Sequence, residues 1–142
     1  MIKNKIKKIL VALDGSENSF RGLNQAIIIA RNCQATITGV YVTPLSPPAA
    51  KEQKEYVKKY LLQNANKFLA KAETDAAKNG ILLYKKILYG DEGQKILKYA
   101  QYKNFDLIVI GSRGMSSIKE VFLGSTSNYL IHKSKIPVLL VK

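Results

Sequence analysis

Hydrophobic residues along the chain follow two patterns that alternate from one end to the other. Short runs of apolar, often β-branched residues show no helical period, which is typical of strands buried on both faces of a parallel sheet. These runs lie at 7–13, 35–42, 81–89, 106–110 and 138–141. Between them lie four segments whose apolar residues recur at helical spacing. The pattern therefore predicts five strands alternating with four helices.

Capping residues and apolar spacing indicate where the first two helices begin and end. Ser16 is a typical N-cap, and four apolar residues of the first helix should face the sheet: Phe20, Leu23, Ile27 and Ala30. The second helix is predicted over about 51–79, and Gly80 ends it. Its apolar stripe comprises Val57, Leu61, Ala65, Phe68, Ala72 and Ala76.

Strands that alternate with helices are typical of an α/β protein in which a doubly wound parallel sheet carries helices on both faces. We expect five strands in the order 3-2-1-4-5, a Rossmann-like arrangement. The winding reverses between strands 1 and 4, so a ligand crevice should open at their carboxyl ends, where Asp14 and Gly111 lie. Lys85 and Lys86 near the middle of the third strand indicate that this strand lies at an edge.

Glycines and small hydroxyl residues follow the fourth strand at fixed spacing. Two residues separate Gly111 from Gly114, and nine more precede Gly124, Ser125 and Thr126 at the start of the fourth helix. Glycine allows backbone amides to approach a ligand, and hydroxyl residues add donors to the unpaired N–H groups of a helix start. The stretch therefore predicts a phosphate site. The structural alternative is a strand-to-helix connection whose glycines serve only tight turns.

The motif Gly111-x2-Gly114-x9-Gly124-Ser125, preceded by Asp106-Leu-Ile-Val, resembles the ATP-binding signature of the universal stress protein family. The resemblance extends over 7–141 and implies that 1–142 form a single nucleotide-binding domain. It implies that the cofactor is ATP, with Mg²⁺ held mainly by the phosphates. It also implies a sensor or regulator of the stress response. The residues around the phosphate loop offer little of the preorganised charge that phosphoryl transfer needs, so we expect any ATP hydrolysis to be very slow.

The resemblance implies a set of residues that contact the nucleotide. Ala12, Leu13 and Asp14 would lie at the nucleoside, although the residues alone leave open whether Asp14 merely caps the next helix. The backbone of Val42 would bind the adenine edge, or Val42 would simply be a core valine. The phosphates would lie along the motif, where Arg113 could add positive charge or point to solvent: Gly111, Arg113, Gly114, Gly124, Ser125 and Thr126.

Composition limits the classes of protein to consider. The 142 residues are 46% hydrophobic and 23% charged, which is typical of a soluble globular chain. No apolar run approaches the roughly 18 residues of a membrane span, so we expect a cytoplasmic protein without membrane contact. The single cysteine, Cys33, excludes an intramolecular disulfide. The sequence contains no histidine and cysteine cluster that predicts a metal site.

The net charge of +13 is the unusual bulk property of the sequence. All but three of the 23 basic residues are lysines, and they are spread along the whole chain. Nucleic-acid-binding proteins more often concentrate arginine and aromatic residues on one face. We therefore interpret the lysines as a solvated surface with only weak, non-specific attraction to nucleic acid.

Two further features bear on function. Asp91 and Glu92 begin the third helix, where we expect them to interact with the helix dipole rather than form a catalytic pair. Val138–Val141 form an uncharged strand at the other edge of the sheet, which predicts a homodimer through this strand. The main hypothesis is a stress-response protein that binds an adenine nucleotide. The alternatives are an interaction module that binds no nucleotide and a slow ATPase or phosphotransferase.

Overall fold

A computed structural model of the chain describes residues 5–44, 55–113 and 123–142. The described strands are β1 (Lys8–Ala12), β2 (Thr36–Thr43), β3 (Leu83–Tyr89), β4 (Leu107–Gly111) and β5 (Val138–Val141). The helices are α1 (Glu17–Cys33), α2 (Glu55–Lys78), α3 (Glu92–Tyr102) and α4 (Ser125–Lys133). The predicted alternation of strands and helices is confirmed.

The strands form one parallel sheet in the order β3-β2-β1-β4-β5, as predicted. Strand β1 is central, and its Val11 lies opposite Gly39 of β2 on one side and Val109 of β4 on the other. Strand β3 is an edge strand in which Lys85 and Lys86 are exposed, so that prediction is also confirmed. This topology places the carboxyl ends of β1 and β4 side by side.

Helices cover both faces of the sheet and produce two apolar layers. Successive residues of a strand point to opposite faces, so Val11 packs beneath α1 and α2 while Leu10 packs beneath α3 and α4. Buried residues of the first layer include Leu23, Ala26, Leu69 and Ala72. Those of the second include Ile96, Leu97, Ala100 and Leu130. Burial on both faces explains why the central strands are apolar throughout.

Local signals for the ends of helices hold in the structure. Ser16 is the N-cap of α1, and its hydroxyl oxygen accepts a hydrogen bond from Ser19 N at 3.1 Å. The turn before it needs Gly15, whose φ of +85° is strained for other residues. Asp91 caps α3 by accepting a bond from Gln94 N at 3.1 Å. The acidic start of α3 therefore contributes a specific cap as well as charge.

The predicted apolar stripe of α2 is correct only in its C-terminal part. Ala65, Ala72 and Ala76 are buried as expected, and Leu69 joins them, whereas Val57 is 39% exposed. A helix turns about 100° per residue, so 19 residues separate Val57 from Ala76 by about 100° around the axis. A stripe whose residues are mostly four apart therefore winds slowly around the helix. Its N-terminal end no longer lies on the face that packs on the sheet.

Candidate functional site

A small crevice opens where the winding of the sheet reverses, at the carboxyl ends of β1 and β4. Its volume is about 100 Å³. It is lined by Ala12, Leu13, Asp14, Ser19, Glu92, Ile110, Gly111, Arg113, Gly124, Ser125, Thr126 and Ser127. Eight of the residues predicted from the sequence therefore meet in one place. The described walls enclose room for a ribose or a phosphate group, since sites for whole small molecules have volumes of about 300–1,000 Å³.

Two predicted contacts do not line this crevice. Val42 is buried near the end of β2 and packs in the layer that includes Leu88 and Ile96. Its side chain is thus that of a core valine, and a role for its backbone stays a prediction. Gly114 lies outside the described residues.

Asp14 stabilises the turn between β1 and α1 and also lines the crevice. Its Oδ1 accepts hydrogen bonds from Ser16 N at 2.9 Å and from Ser16 Oγ at 2.5 Å. Ser16 in turn caps α1, so Asp14 supports the cap rather than acting as the cap itself. The carboxylate remains half-buried at the wall of the crevice. Asp14 therefore does not cap α1 itself, and its place at the crevice is compatible with the role predicted for it at the nucleoside.

Gly111 is required by the packing of a buried polar side chain. A Cβ at Gly111 would lie 2.8 Å from Cγ of Asn18 and closer still to its Oδ1. Asn18 is only 7% exposed; its Oδ1 accepts from Arg113 N at 2.8 Å and its Nδ2 donates to Val141 O at 3.2 Å. This contact favours a structural role for Gly111. Sequence analysis missed Asn18, whose signal is its position one turn before Gly22 and Leu23 on the buried face of α1.

Gly124 presents the opposite case. It is the N-cap of α4 with a φ of −58°, and no side chain caps the helix there. A Cβ at this position would meet Ser112 O at 3.5 Å and Ser127 Oγ at 3.6 Å, which are ordinary contacts. Neither the backbone conformation nor the described packing therefore requires glycine. Because N–H groups of a first helical turn lack partners within the helix, the start of α4 is suited to an anion.

Glu92 also lines the crevice, and sequence analysis missed this role. The hydroxyl of Thr126 donates a hydrogen bond to Glu92 Oε2 at 3.0 Å. The pKa of the Glu92 carboxyl is raised, mainly because surrounding protein removes water from it; the bond from Thr126 lowers it, and Asp14 and Asp91 raise it further. The topology could have indicated this role of Glu92, because α3 begins after β3 at the carboxyl ends of the strands, where Asp14 also lies.

Three charged side chains line the crevice among the residues that the structure describes. Arg113 is its one cationic side chain among the lining residues that the structure describes, and Asp14 and Glu92 are the carboxylates of the same lining. Arg113 itself is exposed at the mouth. Across residues 5–44, 55–113 and 123–142, no group of three or more His, Cys, Asp or Glu side chains could hold a metal ion. None of the helices described there is long and apolar enough to cross a membrane.

A larger groove of about 860 Å³ lies at the opposite end of the sheet, where the strands begin. Its lining includes Ile6, Cys33, Phe105, Lys135 and Pro137. These residues lie at the amino ends of β1, β4 and β5 and at the end of α1. None of the residues predicted to contact a nucleotide is among them, so size alone does not identify the site.

Comparison with known sequences places the chain among one group of proteins. The model of the universal stress protein family matches residues 5–142. A universal stress protein of Methanocaldococcus jannaschii is 31% identical over 143 residues, which cover 99% of this chain and 84% of that protein. Universal stress protein YxiE of Bacillus subtilis is 34% identical over 151 residues, covering 95% and 98% of the two chains.

Solved structures show the same fold. Universal stress protein UspA from Lactobacillus plantarum has a TM-score of 0.85 and 26% identity, with 99% of this chain and 100% of that one covered. A universal stress protein in complex with cAMP gives a TM-score of 0.79 at 23% identity, covering 98% and 99%. One from Archaeoglobus fulgidus in complex with dAMP gives 0.75 at 21%, covering 96% and 98%. The chain belongs to the universal stress protein family.

Proposed function

We propose that this protein binds an adenine nucleotide, with ATP and Mg²⁺ as the leading candidate, and acts as a sensor or regulator in the stress response. The observation that carries the proposal is the start of α4. Its N-cap is a glycine that the described packing does not require, and it faces the crevice together with Ser125 and Thr126. A missing side chain at an uncapped helix start leaves space and N–H donors for a phosphate.

The remaining walls suit the other parts of a nucleotide. Asp14 offers a carboxylate that would accept bonds from ribose hydroxyls, and Arg113 at the mouth would add positive charge near the phosphates. Mg²⁺ would be held mainly by phosphate oxygens and water, as is common for this ion. Two family members of the same fold are known in complex with cAMP and dAMP, which supports an adenine nucleotide as the ligand class.

The experiment that tests this proposal is calorimetric titration of ATP, ADP and AMP into the wild type and Gly124→Val. Valine would place two methyl groups where the phosphates are proposed to lie. Loss of a few charge-assisted hydrogen bonds, each contributing about 1.5–3 kcal/mol, should weaken ATP binding at least tenfold. The ordinary contacts of a Cβ at this position should leave the fold intact, which circular dichroism would check.

Gly124→Ser provides a matched variant in which stability and binding should change in opposite directions. Its hydroxyl would cap α4 and stabilise the protein by a few tenths of a kcal/mol, about the difference between serine and glycine caps. The same hydroxyl would compete with phosphate for the first N–H groups, so ATP should bind more weakly. Unchanged ATP affinity in both variants would reject this site. Absence of nucleotide binding in the wild type would instead favour an interaction module of the same fold.

A further inference from the structure

Glu92 accepts a hydrogen bond from the Thr126 hydroxyl, which the proposed nucleotide would also need as a donor. The bond from Thr126 to Glu92 Oε2 joins the first turn of α4 to the first turn of α3 across the crevice. Thr126 can donate its one proton to Glu92 or to a phosphate, but not to both at once. A phosphate that reaches the start of α4 must therefore displace the Glu92 carboxylate or bind beside it.

The charges around this bond oppose a second anion. Asp14 approaches from the β1–α1 turn, and Asp91 precedes Glu92 on α3, so both add negative potential at the Glu92 carboxyl. Arg113 at the end of β4 is the cation that lines the same crevice among the described residues. Among the described residues, two carboxylates and one guanidinium therefore line the space, and the Glu92 carboxylate contacts the first turn of α4, which would otherwise attract phosphate.

We propose that Glu92 is a specificity-determining residue, which holds the Thr126 hydroxyl and repels phosphate charge so that the crevice disfavours nucleotides with more unneutralised phosphates. This inference rests on the proposed nucleotide binding. In the absence of divalent cations, the crevice then binds AMP in preference to ATP. The repulsion between Glu92 and the phosphates grows with the charge of the ligand. The hydrogen bond from Thr126 to Glu92 is lost equally for ATP and AMP, so it does not contribute to the preference.

Glu92→Gln tests the proposal because glutamine keeps an acceptor for Thr126 and removes the charge. We expect ATP affinity, measured by calorimetry in EDTA, to rise about tenfold, as when one charge a few ångströms from a phosphate is removed near a protein surface. AMP affinity should rise by about threefold, because AMP carries about half the charge of ATP and the repulsion is proportional to charge. The ratio of the two dissociation constants is the quantity that decides.

Asp91→Asn is the matched control. It removes the same charge from the neighbouring residue, and asparagine is as good an N-cap as aspartate. The Asp91 carboxylate bonds Gln94 N and is not among the crevice-lining residues. The ratio for ATP and AMP should therefore stay within about twofold of the wild type.

Protonation should act on the wild type as the substitution does. As pH falls through the pKa of Glu92, which lies above its ordinary value, ATP affinity should rise more in the wild type than in Glu92→Gln. Protonation of ATP itself is common to both proteins and cancels in their ratio. Asp14, Asp91 and Arg113 are present in both proteins, so their contributions to the pH profile are shared.

Three results would overturn the inference. An unchanged ATP-to-AMP ratio in Glu92→Gln would show that Glu92 has no such role, while the proposed function would stand. An equal change in Asp91→Asn would show that general surface charge, and not the Glu92 contact, sets the preference. Absence of binding of either nucleotide to both the wild type and Glu92→Gln would reject the proposed function and this inference with it.

Discussion

At the scale of single residues, two glycines of one sequence motif have different reasons to be glycine. The absence of a side chain at Gly111 makes room for Asn18. At Gly124, the described protein atoms stay at least 3.5 Å from where a Cβ would lie, so the space is open to a ligand. A Cβ contact below 3.0 Å requires movement, and Asn18 is fixed by bonds to Arg113 N and Val141 O. The motif therefore combines a structural position with one available for a ligand.

We expect Gly111→Ala to destabilise the protein by about 2 kcal/mol, the range for overpacking combined with a disturbed buried hydrogen bond. The Asn18 side chain, which α1 holds against the ends of β4 and β5, would have to move. Thermal unfolding should then occur about 6 °C lower than in the wild type.

Gly124→Ala is the control for that measurement. Its Cβ meets neighbours at 3.5 Å or more and its φ is negative, so only the poorer N-cap propensity of alanine should lower the stability, by about 0.5–1 kcal/mol and thus less than Gly111→Ala does. Equal stability of Gly111→Ala and Gly124→Ala would show that the Asn18 side chain moves aside at little cost in free energy. The structural explanation of Gly111 would then be wrong.

At the scale of elements, the two edge strands of the sheet differ. Strand β3 carries two exposed lysines, Lys85 and Lys86, which point to opposite faces of the sheet, and Lys85 also pairs with Glu73 of α2 at 3.1 Å. Strand β5 has the sequence Val-Leu-Leu-Val, and all four residues are half-buried within the single chain. Charge protects the first edge from pairing, and nothing comparable within the strand protects the second.

We expect a homodimer through β5, which Leu140→Pro should dissociate. Pro137 O accepts a bond from Ile108 N in β4, and Val141 O accepts one from Ser112 N directly after β4. By the alternation of a parallel ladder, the N–H of Leu140 therefore points to the open edge. Proline removes that donor without removing a bond to β4. Light scattering at micromolar concentration should change from a dimer to the 15.8 kDa monomer.

Leu140→Val keeps both the donor and the apolar side chain, and should remain dimeric. Circular dichroism of Leu140→Pro would establish that the fold persists. A wild-type protein that is monomeric at micromolar concentration would contradict the expectation directly.

At the scale of the whole molecule, we expect this protein to bind ATP without hydrolysing it at an enzymatic rate. Phosphoryl transfer relies on cationic groups and bound metal around the leaving phosphates. The described crevice offers Arg113 alone against Asp14 and Glu92. We therefore expect ATP turnover far below about 1 per second, the lower end for ordinary enzymes. A steady-state assay with Gly124→Val as the contamination control measures it. Turnover near one per second that this substitution abolishes would identify an ATPase.

Much of the fold could be predicted because its signals are local or follow from topology. Apolar runs, the Ser16 cap and the lysines of β3 each act within a few residues, and the winding rule then places Asp14 beside Gly111. The same rule brings together most of the candidate site. The exposed Val57 shows the limit of spacing alone, since a small drift in helical phase accumulates over five turns.

The rest of the site depends on contacts between distant side chains. Asn18 meets Gly111 and Arg113 almost 100 positions later, and Glu92 meets Thr126 34 positions later. Each residue has an adequate local explanation, Asn18 as a residue of a first helical turn and Glu92 as a dipole partner. Side-chain direction decides between such explanations, and sequence pattern does not encode it.

Asn18 also joins the mouth of the crevice to the last strand. One amide group supports both the backbone at the mouth of the crevice, through Arg113 N, and the end of the last strand, through Val141 O. A partner that immobilises the last strand would thereby bear part of the entropic cost of ordering the mouth. By thermodynamic reciprocity, a ligand that orders the mouth would tighten assembly by the same factor. Ligand binding in the crevice and dimerisation through the last strand would then be coupled through the Asn18 side chain.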